Sequence, residues 1–203
     1  MPGTAAVAIW CDVGLKIKDE FDDWHAHEHM PERLAIPGFL RGSRWVSADG
    51  KNSYFVLYEL ASLDVLTAGP YLERLNNPTP WSTKMMPHHR NMVRSLCRVE
   101  ASFGVGLGEA TLTMRLSAQI GADQLSSLPV RKGLVAAHLL RDAGAVQGAQ
   151  TTEQKIRGGD TSADWIVLVN GYDLDAVSLA AGELERALPG SITRTYRLAY
   201  TLQ

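Results

Sequence analysis

The chain has 203 residues, and its 20 Lys and Arg against 22 Asp and Glu give a formal net charge of −2. Hydrophobic residues make up 45% and charged residues 21%, as in an ordinary globular protein that buries a core. No basic block indicates nucleic acid, and no apolar stretch is long enough to cross a bilayer. The N-terminus lacks the pattern of a signal peptide, and Cys11 and Cys97 lie in apolar, strand-like contexts. We therefore expect a cytoplasmic protein with two buried thiols, and neither nucleic acid nor a membrane as partner.

The hydrophobic pattern of the first half predicts strands and helices in the order β-α-β-β-α-β, which defines a ferredoxin-like unit. The predicted strands cover residues 4–13, residues from 39 onward, 53–60 and 91–103. The predicted helices cover residues 18–29 and 62–75, the second with an irregular middle at Gly69-Pro70. Asp49-Gly50 is a hairpin-turn signal, so the second and third strands should pair.

The same order recurs in the second half. The predicted strands cover residues 109–118, residues from 133 onward, 164–173 and 191–202, and the predicted helices cover 122–128 and 174–188. The segments SLDVLTAGPYLERL (62–75) and DLDAVSLAAGELERAL (173–188) share LD near the start and LER near the end. We interpret this similarity as a tandem duplication.

The predicted domain organisation follows from this repeat. Repeat one, residues 1–104, carries the candidate site, and repeat two, residues 108–203, is mainly scaffold because it has no matching histidines. A glycine-rich joint lies between them, and the polar stretch 147–163 is predicted to be a mobile loop. The fold class is therefore α+β, with two duplicated ferredoxin-like units whose sheets pack into an α+β barrel.

The stretch WHAHEHMPER, residues 24–33, carries the densest chemistry of the chain. On a helix, His25 and His29 lie one turn apart on the same face with Glu28 close to both. Pro31 lacks an N–H and clashes with the preceding turn, so the helix is expected to end or kink there. The histidines would then lie at a helix C-terminus, whose carbonyl dipoles raise a histidine pKa.

Three interpretations of this stretch are open. His25-x-x-Glu28-His29 matches an inverted zinc-peptidase pattern, but no third ligand follows in a matching motif. A histidine that is oriented by a carboxylate can instead act as an acid or base on a bound organic molecule. The structural alternative is a solvated helix end, with Trp24 and Met30 packed inward.

Further candidate ligand contacts lie elsewhere in the first half. Residues 76–94 combine an aromatic side chain, methionines and several cations, which could suit a planar anionic ligand. Within this segment we assign Trp81 and His88 to the walls of a pocket. Outside it we assign Trp24 and Tyr58 to substrate contacts and Arg33 to a carboxylate clamp. Each of these side chains also has a structural alternative in core packing or solvent exposure.

The stretch FDDWHAHEHMPERLAIPGFLRGSRW (21–45) resembles the EthD-like branch of the dimeric α+β barrel superfamily. The resemblance rests on His25 and His29, on Pro31, and on the step Ile36-Pro37-Gly38-Phe39 into the second strand. It covers roughly the first half of the chain. It implies a barrel whose ligand lies between sheet and helices near the end of the first helix.

The resemblance implies a function only loosely, because the superfamily includes cofactor-free monooxygenases, isomerases, cyclases, decarboxylases and haem proteins. Our hypothesis is a cofactor-independent enzyme of the isomerase, lyase, cyclase or monooxygenase type, acting by histidine acid–base chemistry on a small apolar or aromatic carbonyl compound. It assigns His25 or His29 as base or acid and Glu28 as the orienting carboxylate, with no cofactor and no metal. The alternatives are a non-catalytic small-molecule binding protein, and a haem or metal protein. A homodimer through a sheet face or strand edge is also expected.

Overall fold

A computed structural model describes residues 1–144, 150–158 and 161–203 of the chain. Eight antiparallel strands form a closed barrel in the order β1-β3-β2-β8-β5-β7-β6-β4. The strands are β1 (Ala5–Asp12), β2 (Phe39–Ser47), β3 (Ser53–Leu60), β4 (Arg90–Gly104), β5 (Ala110–Leu116), β6 (Leu134–Asp142), β7 (Trp165–Gly171) and β8 (Ile192–Leu202). The predicted ends of these strands lie within two residues of the observed ones, and β2 pairs with β3 as the hairpin signal predicted.

Short helices connect the strands and cover the outside of the barrel. The α-helices are α1 (Lys18–Trp24), α2 (Met30–Leu34), α3 (Gly69–Asn76), α4 (Pro80–Met85), α5 (Asp123–Ser126), α6 (Thr152–Arg157) and α7 (Leu174–Ala187). Short 3₁₀ turns span Leu15–Ile17, Leu63–Thr67, Met86–His88 and Leu128–Val130. The predicted irregularity near Gly69 is present, because a 3₁₀ turn precedes α3 and an extended residue, Ala68, separates the two.

The barrel interior and the two helical layers hold separate hydrophobic clusters. Alternate residues of β1 face opposite ways: Ala6 and Ala8 join the cluster that fills the barrel, whereas Val7 packs with the outer cluster of the first half. A further cluster lies beneath α7 on the second half. The barrel is therefore filled by its own side chains, and open space for a ligand lies outside it.

Of the two outcomes predicted at the histidine segment, an end or a kink, the helix end does not occur. α1 continues through a π-helical segment, His25–His29, directly into α2. Met30 donates its N–H to the carbonyl of His25, five residues back, so the wider turn accommodates Pro31 inside a continuous helix. Wide π turns of this kind are frequent at functional sites.

The step from α2 into β2 depends on a glycine. Gly38 has φ +95°, and a Cβ at this position would lie 2.4 Å from the Val65 side chain. Only glycine meets both requirements without strain. Pro37-Gly38 thus places Phe39, the first residue of β2, against the outer cluster.

The predicted loop over residues 147–163 is wrong for α6, which forms a helix with a capping box between Thr151 and Gln154. The rest of that prediction falls partly on residues 145–149 and 159–160, which lie outside the described residues. Both cysteines are free and buried, as expected. Across the described ranges, the helices are all too short or too polar to cross a membrane.

Every strand of the barrel has a hydrogen-bonded neighbour on each side. A homodimer formed by pairing strand edges therefore has no free edge available within the described part of the chain. A homodimer through another surface stays a prediction.

Candidate active site

A cavity lies between the outer face of β1, β3 and β4 and the helices that cover the first half. Its empty volume is about 640 Å³, part of which is open solvent at the mouth. The apolar part of the wall comes from Val7, Ile9, Phe21, Phe39, Val56 and Leu75. Its polar part combines histidines, tyrosines and arginines, so the cavity presents apolar surface and hydrogen-bonding groups to the same space.

His25 lies in the cavity wall and is 3% exposed. Its Nε2 lies 3.4 Å from the hydroxyl of Tyr58, a long contact for a hydrogen bond. Its Nδ1 is buried without a hydrogen-bond partner among the described residues. The structure therefore brings together His25 and Tyr58, two residues that the sequence assigned to the site separately.

His29 also lines the cavity; the residue as a whole is half-buried, and its Nδ1, like that of His25, is buried without a hydrogen-bond partner among the described residues. Its ring centroid lies 4.5 Å from that of Trp24 and 5.6 Å from that of His25. Trp24 is fully buried and lines the same cavity. The π segment thus presents both histidines and the neighbouring indole to one space.

The predicted rise in histidine pKa is wrong. The pKa of His25 is held well below 6.5, first by burial and then by the charge of Arg44. The pKa of His29 is also held well below 6.5, first by burial and then by Arg33. A helix C-terminus would raise the pKa of these histidines, but the helix does not end there. The effect of burial, which lowers the pKa, therefore dominates. Both side chains are therefore neutral imidazoles at pH 7.

Arg33 is buried rather than exposed, with 4% of its surface accessible. Its guanidinium donates to the carboxylate of Glu153, which is 3% exposed and belongs to α6. Arg157, one turn further on, lies 3.8 Å from the same carboxylate. All three side chains line the cavity, so the second half of the chain contributes charged groups that the sequence interpretation did not assign.

A second arginine reaches the cavity from β4. Arg94 donates to the hydroxyl of Tyr71 at 2.8 Å, and the face of the Tyr71 ring lies 5.9 Å from the Arg33 guanidinium. Tyr71 is buried and both residues line the cavity. The wall between β4 and α3 is therefore polar and positively charged.

Glu28 does not line the cavity, although the sequence placed it beside the histidines. Its Oε1 accepts hydrogen bonds from Thr79 at 2.5 Å and from Ser82 at 3.2 Å. Ser82 in turn accepts from the indole N–H of Trp24 at 3.1 Å. Glu28 is therefore two hydrogen bonds behind a wall residue, and it joins the π segment to α4.

We expect Glu28→Ala to lower the free energy of unfolding by about 1–3 kcal/mol, because the hydroxyls of buried Ser82 and half-buried Thr79 lose a charged acceptor. Chemical denaturation measures this change. Affinity for a cavity ligand should fall by less than about tenfold, since no ligand contact is removed directly. A complete loss of binding in a folded variant would place Glu28 in the site after all.

Trp81 and His88 also lie outside the cavity wall. The indole N–H of Trp81 donates to Glu20, and the charge of His88 acts on the same carboxylate. His89 lines the cavity instead, and its Nδ1 lies 2.9 Å from the carbonyl of Met86. Because a carbonyl only accepts, Nδ1 carries the proton in this contact.

A metal site has no support in the geometry of the described residues. Within residues 1–144, 150–158 and 161–203, His, Cys, Asp and Glu side chains form no group of three or more that could hold a metal ion. Glu28 faces Thr79 and Ser82 rather than His25 and His29, so the zinc-peptidase pattern has no common centre.

Comparison with known proteins shows the fold. No protein-family model and no curated protein matches the chain. A solved structure of an anthrone oxidase-like protein superposes with a TM-score of 0.63 and 12% identity, over 98% of this chain and 92% of that one. The structure of a proposed monooxygenase from Fusobacterium nucleatum superposes with a TM-score of 0.59 and 7% identity, over 99% of this chain and 95% of that one. The structure of a proposed monooxygenase from Lactobacillus acidophilus superposes with a TM-score of 0.56 and 8% identity, over 98% of this chain and 96% of that one.

The chain shares its overall fold with these solved structures. The match runs over nearly the whole of each protein, so the barrel with its covering helices is common to them. At such low identity, similarity of fold does not carry over the chemistry. The function has to be argued from the side chains of the cavity.

Proposed function

We propose that the protein is a small-molecule enzyme of the monooxygenase type, acting on an apolar or aromatic carbonyl compound through a neutral histidine. The observation that carries the proposal is the pair of uncharged imidazoles, His25 and His29, facing an apolar cavity beside the buried cation Arg33. A base next to a cation suits the removal of a proton from a weak carbon acid. The structural neighbours, two proposed monooxygenases and an anthrone oxidase-like protein, support oxygenation as the subsequent step.

We assign the role of base to His29. His29 as a residue is less buried than His25, and Trp24 packs against its ring, with 4.5 Å between the ring centroids, and restricts its orientation. A neutral imidazole offers a lone pair to the substrate, whereas an imidazolium does not. The lowered pKa keeps His29 in this form at neutral pH.

The anion formed by proton removal needs partners in the cavity. The hydroxyl of Tyr58 stays protonated because burial raises its pKa, and it can donate to an enolate or phenolate oxygen. Arg33 adds positive charge that Glu153 offsets only in part, because Glu153 is itself shared with Arg157. His25 contacts Tyr58 and is assigned to its orientation.

The balanced reaction for a methylene group beside a carbonyl or between aryl rings consumes one O₂. One oxygen atom becomes a carbonyl on that carbon, and the other leaves as water with the two hydrogens of the methylene group. The substrate itself supplies the electrons, so the reaction needs no external reductant. This is the cofactor-independent form of the proposal.

Anthrone is the first compound to test, since one structural neighbour is described as anthrone oxidase-like. We expect the purified protein to accelerate O₂ uptake above the protein-free rate, with one O₂ consumed for each anthraquinone formed. An oxygen electrode and chromatography of the product measure both quantities. The same assay is run with smaller aryl ketones that carry an acidic methylene group. No acceleration with any of these compounds would overturn the proposal.

Two alternatives give different results. A non-catalytic binding protein retains ligand affinity after loss of both His25 and His29 and shows no oxygen uptake. A haem or metal protein shows a visible absorption band or bound metal after purification without added cofactor. A haem would need one of the cavity imidazoles as its axial ligand, and His25, His29 and His89 are the residues present for that role.

Finer features of the sequence interpretation remain proposals. The tandem duplication is supported by strand order, since β4-β1-β3-β2 and β8-β5-β7-β6 follow the same pattern in each half. The EthD-like resemblance is supported by the placement of His25 and His29 at the cavity. Cytoplasmic location and a homodimer await measurement of localisation and of mass in solution.

A further inference from the structure

The wall of the cavity between β4 and α3 has a charge arrangement that the proposed proton transfer does not use. Arg94 lines the cavity and donates to the hydroxyl of Tyr71 at 2.8 Å. In the described part of the chain, no carboxylate pairs with Arg94, in contrast to Arg33 with Glu153. The hydroxyl of Tyr71 accepts from Arg94, so its own hydrogen remains able to donate.

The Arg94 guanidinium and the Tyr71 hydroxyl together offer donors for an anion. A guanidinium has several N–H donors in one plane, and only part of that capacity is directed at Tyr71. A carboxylate in front of Arg94 could accept from the guanidinium and from the hydroxyl at once. The ring of Tyr71 is held in place by burial and by Arg33 over its face at 5.9 Å, so the hydroxyl has a fixed position.

We propose that Arg94 and Tyr71 form a carboxylate-binding subsite, so that the cavity takes a planar aromatic compound carrying a carboxylate. The inference rests on the proposed function for the reacting end of the molecule and deepens it by naming the substrate class. We assign the aromatic body of this compound to Phe21, Trp24 and His29, which line the same cavity as Arg94 and Tyr71. The apolar residues of the wall disfavour a fully hydrated anion such as free phosphate.

Binding of a matched ligand pair tests the subsite without any turnover. 2-Naphthoate and 2-naphthamide have nearly the same shape, but only the first carries a charge at pH 7. We expect the wild-type protein to bind naphthoate at least about tenfold more tightly than naphthamide, the ratio expected for one charge-assisted contact. Isothermal titration calorimetry measures both dissociation constants.

Variants then locate the preference. Arg94→Met should abolish the discrimination, Arg94→Lys should keep part of it, and Tyr71→Phe should reduce it several-fold. Arg98→Met is the matched control, because Arg98 is an exposed residue of the same strand and does not line the cavity. This control should bind both compounds as the wild type does. If Arg94→Met does not fold, Arg94→Lys and Tyr71→Phe decide the question.

The outcomes separate this inference from the proposed enzyme activity. Equal affinity for both compounds, or no binding of either, overturns the subsite. Discrimination that survives in Arg94→Met or falls equally in Arg98→Met also overturns it. Oxygen uptake with anthrone, which has no carboxylate, is measured independently, so the reaction can fail while the subsite stands, and the reverse.

Discussion

Arg33→Met is expected to lower the free energy of unfolding by about 3 kcal/mol. Removing one partner of a buried ion pair typically costs ~3–5 kcal/mol, because the remaining charge stays desolvated. The lower end applies because Arg157 still faces Glu153 at 3.8 Å. Denaturant titration followed by circular dichroism measures the change, with the slope of the transition checked for two-state behaviour.

Two companion variants identify the cause. Arg33→Met combined with Glu153→Gln should recover much of the loss, because it removes the stranded carboxylate charge. Arg131→Met breaks a solvent-exposed pair with Glu183 and should destabilise the protein much less than Arg33→Met does. Equal losses for Arg33→Met and Arg131→Met would contradict the importance of burial at the cavity.

His29→Gln should reduce turnover by about 10²- to 10⁴-fold, the usual contribution of a positioned base. Glutamine keeps a similar size and polarity and so limits the effect on packing. His25→Gln should cost less, because His25 is assigned to Tyr58 rather than to the substrate. His27→Gln is the matched control, since His27 is exposed on the same helix and contacts the carbonyl of Asp23.

The pH profile gives an independent check on His29. A base with an ordinary pKa would lose activity as the pH falls through about 6.5. Because the pKa of His29 in the folded protein lies well below 6.5, the neutral form and the activity should persist below that pH, and be lost only at the lower folded pKa. A midpoint near 6.5 would show that the catalytic group is not this buried imidazole.

The strands were predictable because their signals are local. The apolar run of β1 and the Asp49-Gly50 turn depend only on neighbours in sequence, and both elements lie where they were predicted. The grouping of His25 and His29 was also predictable, since any helical turn places them on one face. The lowered pKa of these two histidines could not be predicted. The sequence HAHEH is polar, and nothing in the neighbouring sequence indicates that the barrel and Arg33 enclose the imidazoles.

Glu153 was missed because its role depends on contact with the other half of the chain. The segment around α6 is polar and too short to show helical periodicity. One signal was present, since Thr151 and Gln154 have the spacing of a capping box. The sequence also could not show that His89 rather than His88 lines the cavity. Adjacent residues next to a strand face different ways, and only the tertiary structure determines which one faces the cavity.

The closed barrel is filled by its own side chains, while the cavity lies outside the barrel, between the strands and the helices that cover them. Strand register and ligand specificity are thus encoded by different faces of the same strands. On β1, substitutions at Val7 or Ile9 reshape the cavity, whereas substitutions at Ala6 or Ala8 disturb the barrel. Substitutions on the outer face can therefore change which ligand binds while the packing inside the barrel stays the same. A directed-evolution library for new substrates would therefore be confined to outward-facing positions and to the helices above them.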